Sequence, residues 1–112
     1  MINLLVDECY AFDYLAILEV KKNKNAKNLH NWQQCKNHLE LQLITLFDTI
    51  INSEEYKKLY EANEKTFDAV EKARYDLISA KEVDDCNGKR FIAKKELQEK
   101  FFPDSRITER KT

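Results

Sequence analysis

Residues 3–22, NLLVDECYAFDYLAILEVKK, decide how this chain folds. Leu4, Leu5, Val6, Tyr10, Phe12, Tyr14, Leu15, Ile17, Leu18 and Val20 fall on every side of a helical wheel. A helix that is apolar all round needs neighbours in more than one direction, so this segment is expected to be central or to lie at a subunit interface. The remainder must supply that cover, and its composition points to helices. One glycine and one proline in 112 residues leave few of the sharp reversals that sheets require. With Gly88 standing alone, neither a Walker-type phosphate loop nor a dinucleotide fingerprint can be built.

Outward from the first helix, Asn23 to Lys27 read as a polar connector, and Asn28 is placed to cap a second helix over 28–51. Its stripe is Trp32, Leu39, Leu43, Leu46, Phe47 and Ile50. Leu39, Leu41 and Leu43 alternate with polar residues as a strand would. No hairpin partner is in sight, however, and Leu, Glu and Gln favour helix. Ser53 before Glu54 and Glu55 starts a third helix over 54–76, with Tyr56, Leu59, Tyr60, Asn63, Phe67, Val70 and Leu77 on one face. Ser79-Ala80-Lys81-Glu82 has the form of a capping box and opens a fourth helix over 80–102, stopped by Pro103. Its stripe keeps phase through Asn87-Gly88, which favours one helix over a termination at Gly88. Four such helices with short connectors predict an all-α, antiparallel up-down four-helix bundle. It forms a single domain over 1–103, followed by a polar tail over 104–112.

Apolar residues at 43% and charged residues at 35% describe a globular chain. Cys9, Cys35 and Cys86 are odd in number, lack metal-type spacing and read as reduced thiols of a cytoplasmic protein. Acidic residues interrupt the apolar N-terminus and no basic segment precedes it. Neither a secretory leader nor a membrane span is expected there.

The net charge of −1 conceals blocks. Residues 20–39 hold five lysines and no acid, while 40–88 hold twelve acids against six bases. In an up-down bundle the lysine-rich connector meets the acidic 76–85 segment, and Glu54-Glu55 sits near Lys94, Lys95 and Lys100, so the blocks neutralise one another. A nucleic-acid surface on Lys21 to Lys27 with Arg106, Arg110 and Lys111 is the disfavoured alternative. The chain is slightly acidic and has fifteen Lys against four Arg. Arg90 falls in the apolar stripe of the fourth helix, where a charge needs a partner. If the first and fourth helices are antiparallel neighbours, facing residue numbers sum to about 105, which brings Asp13 to Arg90 as a buried ion pair.

Glu61 and Glu64, then Glu82 and Asp85, form carboxylate pairs at i, i+3 on successive helices. Four carboxylates converging between helices offer the hard oxygen ligands that Mg²⁺ demands. The arrangement resembles the metal site of the MazG-type all-α nucleotide pyrophosphohydrolases. That resemblance implies Mg²⁺-dependent release of pyrophosphate from a nucleoside triphosphate. Read from helix geometry alone, the same carboxylates lie on solvated flanks, with Glu64 roughly 10 Å along the axis from Glu82 and Asp85. Cys35 and His38 share a face at i, i+3 but make only two of four zinc ligands, and no Glu-x-x-His di-iron motif occurs.

What remains is surplus apolar surface: the circumference of the first helix and a second line, Leu41 and Ile44, off the main stripe of the second. The expected function is therefore a small helical protein–protein interaction module rather than an enzyme, needing no cofactor. It would associate with itself as a homodimer, or with a partner helix, through Leu4, Leu15, Leu18, Leu41 and Ile44.

Overall fold

The computed structural model describes residue 2 and residues 4–103. The expected tail over 104–112 lies outside the described residues, as does Asn3. Helices α1 (Glu8–Lys24), α2 (Leu29–Leu43), α3 (Thr45–Ile51), α4 (Glu54–Arg74) and α5 (Ala80–Phe101) make up the fold, with a 3₁₀ turn at Ala26–Asn28 between α1 and α2. No strand occurs among the described residues, so the Leu39–Leu43 alternation lies in a helix.

The first helix begins later than its apolar pattern suggests. Asp7 is its N-cap, with φ −63° and ψ 148°, and Tyr10 N donates to the Asp7 carbonyl at 3.0 Å. Leu4 and Leu5 therefore precede the helix and stand exposed. From Glu8 onward α1 is central, packing on α2, α4 and α5. Phe12, Leu15, Ala16, Leu18 and Val20 are all buried within the single chain.

The second helix is two helices, which corrects the expected 28–51 element. Ile44 adopts φ 44° and ψ −93° between α2 and α3. From His38 to Ile51 the sequence has no glycine, proline or asparagine to announce a break. The core accounts for α3's position: Phe47 and Ile50 are fully buried, and Phe47 stacks on Phe12 of α1 with ring centroids 6.1 Å apart. Leu39 at the end of α2 enters the same cluster.

Serine caps start the last two helices: Ser53 Oγ accepts from Tyr56 N at 3.1 Å, and Ser79 Oγ from Glu82 N at 3.3 Å. Between α4 and α5 the chain reverses without glycine. Asp76 takes φ 57°, Leu77 N donates to the Lys72 carbonyl at 2.9 Å and Asp76 N to that of Ala73 at 3.1 Å. These are the two bonds of a Schellman termination, with aspartate tolerating the left-handed position. Helix α5 then runs unbroken through Gly88.

Helices α4 and α5 pair antiparallel, Lys100 Nζ meeting Glu55 Oε1 at 3.0 Å where the end of one passes the start of the other. Helix α1 runs antiparallel to α5: Cys9 N donates to Gln98 Oε1 at 2.8 Å, and Asp13 meets Arg90 four residues further along α1. The lysine-rich connector reaches α4 through Lys24 Nζ–Asp68 Oδ1 at 2.8 Å, ahead of the acidic 76–85 segment. No helix among the described residues is long and apolar enough to cross a membrane.

Candidate functional site

Asp13, in the middle of the most buried helix, would be a costly intruder without partners. It has three donors. Arg90 gives Nε to Oδ1 at 3.1 Å and Nη2 to Oδ2 at 2.8 Å, a two-pronged grip, and Asn63 Nδ2 reaches Oδ1 at 3.0 Å. Asn63 is steadied by a second bond to the Leu59 carbonyl, and Arg90 Nη1 lies 3.4 Å from Asn87 Oδ1. The Asp13 carboxylate holds the Arg90 guanidinium above its ordinary pKa. This charge-assisted knot joins α1, α4 and α5 at one depth. Sequence spacing puts Asn63 only on a core stripe; its contact with Asp13 depends on how α1 crosses α4, which no spacing encodes.

Further polar groups line the α1–α5 seam toward Leu4. Lys94 Nζ lies 4.0 Å from the Tyr10 ring centroid, and Gln98 Nε2 donates to Glu8 Oε1 at 3.1 Å and to the Phe102 carbonyl at 2.9 Å. Cys9 is enclosed here, and burial pushes its thiol up to about 11. A thiol so held is a core residue rather than a nucleophile at neutral pH. Burial likewise raises the Cys35 thiol.

The carboxylates of the two i, i+3 pairs are not drawn together. Glu61, Glu82 and Asp85 are exposed and Glu64 is half-buried. Among the described residues no group of three or more His, Cys, Asp or Glu side chains converges to hold a metal ion, and Cys35 with His38 gains no further ligand. Glu61 instead borders a shallow groove of about 300 Å³ between α4 and α5, shared with Lys58, Lys65, Lys89 and Cys86. Its lining holds three lysines and two glutamates, so neither charge sign dominates.

The five residues expected at an interface divide. Leu15 and Leu18 are buried at 2% and 7% exposure, spent on the core of their own chain, and present no surface to a partner. Their burial corrects the interface expected from the apolar circumference of the first helix. Leu4, Leu41 and Ile44 are exposed at 77%, 78% and 74%, joined by Leu5. Leu41 and Ile44 flank the end of α2, while Leu4 and Leu5 precede the start of α1. Tyr75 and Leu77 add exposed apolar area at the α4–α5 turn. Leu5 was legible as part of the same run as Leu4, but Tyr75 and Leu77 were not, because the helix expected over 54–76 put Leu77 on its buried face.

No family model, curated protein or solved structure matches this chain.

Proposed function

We propose that this chain is a small cytoplasmic helical interaction module that associates with a second copy of itself. The observation that carries the reading is the exposure of Leu41 and Ile44 at the end of α2, where large aliphatic side chains face water beside a fully buried Phe47. Burying an exposed leucine or isoleucine is worth on the order of 2 kcal/mol, and a twofold contact counts each residue twice. Leu4 and Leu5 extend the apolar area available to a partner.

The architecture we propose for the module is an antiparallel up-down four-helix bundle over 1–103 in which α2 and α3 together act as the second member. The antiparallel register of α1 with α5 and of α4 with α5 supports it. The module works through shape and apolar contact and needs no cofactor. Nucleic acid fits poorly as a partner, because Lys24 and Lys100 are engaged with Asp68 and Glu55.

Sedimentation equilibrium of the full chain from micromolar to millimolar concentration tests the proposal. A reversible monomer–dimer equilibrium is expected, and a monomer throughout rejects self-association.

A further inference from the structure

We infer that Ile44 is the hinge of an exchanged dimer, in which α2 and α3 straighten into one helix over 29–51 and the two copies trade residues 45–103. The inference rests on the self-association proposed above and names its route. Ile44 holds φ 44° although it is β-branched, a conformation that its side chain disfavours strongly. Asp76, the other non-glycine residue with positive φ among those described, has a short side chain and the two Schellman bonds to offset the cost. At Ile44 one bond closes α2, its N–H donating to the Glu40 carbonyl at 2.8 Å, and the paired bonds seen at Asp76 are not made. The Ile44 side chain is exposed, and as the N-cap of α3 it offers no side-chain acceptor to the first amides of that helix.

The sequence on both sides favours continuity. Leu39, Leu43, Leu46 and Ile50 stay within roughly 60° of one another on an uninterrupted wheel, so a straight helix keeps its apolar stripe. Straightening gives the backbone of Ile44 an ordinary helical conformation and supplies the start of α3 with helical carbonyls.

The rest of the fold is cut at the same place. The core cluster takes Phe12, Leu15 and Leu39 from before residue 44 and Phe47, Ile50 and Leu59, among others, from after it. The Asp13–Arg90, Glu19–Tyr56, Lys24–Asp68 and Cys9–Gln98 contacts all cross that point. Each can form equally well between two copies, so exchange retains the contacts of the closed chain while releasing strain at two hinges.

The test compares substitutions at an exposed position that fold equally well by circular dichroism. Ile44→Gly removes the strain of the bend and weakens a straight helix; Ile44→Ala removes the same apolar surface yet favours the straight form. Light scattering on the full chain is expected to give a dimer dissociation constant at least about tenfold weaker for Ile44→Gly than for Ile44→Ala. Leu41→Ser leaves the hinge untouched and is expected to weaken the dimer less than Ile44→Gly does. Equal weakening by both Ile44 substitutions, accompanied by loss of the dimer in Leu41→Ser, overturns the exchange while leaving a surface-contact dimer intact. A monomer for wild type and Ile44→Ala at millimolar concentration removes both proposals together.

Discussion

Arg90 reaches Asp13 from a side chain still about 29% exposed, whereas the Asp13 side chain is 6% exposed. The two partners are therefore not equivalent. Removing Arg90 strands a buried carboxylate with Asn63 as its remaining side-chain donor, while removing Asp13 leaves a cation that can turn to water. Arg90→Met is expected to cost about 3 kcal/mol, and Asp13→Leu combined with Arg90→Met to recover much of it, since an apolar pair of similar volume replaces the ions. Urea unfolding of the two variants checks this, and equal losses in both would argue that Asp13 is satisfied without Arg90. Cys9 supplies a prediction of opposite origin. Its thiol ionises near 9 in an ordinary setting and near 11 here, chiefly through burial, with Lys94 pulling the other way. The unfolded chain thus gives up the proton first as pH rises. Stability present below pH 9 is lost between 9 and 11, by about 2–3 kcal/mol. Tyr56, its hydroxyl bonded to Glu19 at 2.9 Å and its pKa raised mainly by burial, adds to the same alkaline trend from about pH 10 upward. Cys9→Ala should flatten the slope between 9 and 11 in denaturation followed across pH, with the Tyr56 part remaining.

Among the elements, α5 kept its apolar phase through Asn87-Gly88, and that phase was a sound guide: the helix runs from Ala80 to Phe101. Gly88 contributes nothing that requires glycine, because an added Cβ would meet nothing within 4 Å. Gly88→Ala is accordingly expected to stabilise the fold by about 0.5–1 kcal/mol, read as a higher thermal midpoint. An unchanged or lower midpoint would show that the glycine backbone serves something beyond the helix. The α2–α3 break was hidden for the converse reason. Local preference and wheel geometry both favour a single helix from Leu29 to Ile51, and only the pull of Phe47 and Ile50 into a core built by α1 and α4 sets α3 apart. The start of α1 was hidden too. Leu4, Leu5 and Val6 continue the apolar run, yet Asp7 takes the capping conformation at the end of that run, so apolarity there marks exposed surface instead of core. The Asp13–Arg90 contact, in contrast, followed from simple register because α1 and α5 are antiparallel neighbours over their middle turns.

Across the whole molecule, residues from all five helices share one apolar cluster, from Phe12 on α1 and Leu39 on α2 to Phe47 on α3, Leu59 on α4 and Leu97 on α5. A single cluster of this kind leaves no helix with a private core, so loss of one wall should unfold every element together. Phe47 is the sharpest place to strike. It is fully buried, stacks on Phe12 and sits just beyond the residue where the chain divides into its two halves. Phe47→Ala should cost about 3–5 kcal/mol. The chain carries its own local probe, since its single tryptophan, Trp32, lies on α2 beneath Lys22 Nζ at 3.9 Å and reports on the α1–α2 contact. Far-ultraviolet circular dichroism reports on all the helices at once. In both wild type and Phe47→Ala the two signals are expected to trace one transition in urea, displaced to lower denaturant by the substitution. A tryptophan transition that separates from the helical one would mean that α1 and α2 hold together after α3, α4 and α5 have let go, and the chain would then fold as two units divided near Ile44.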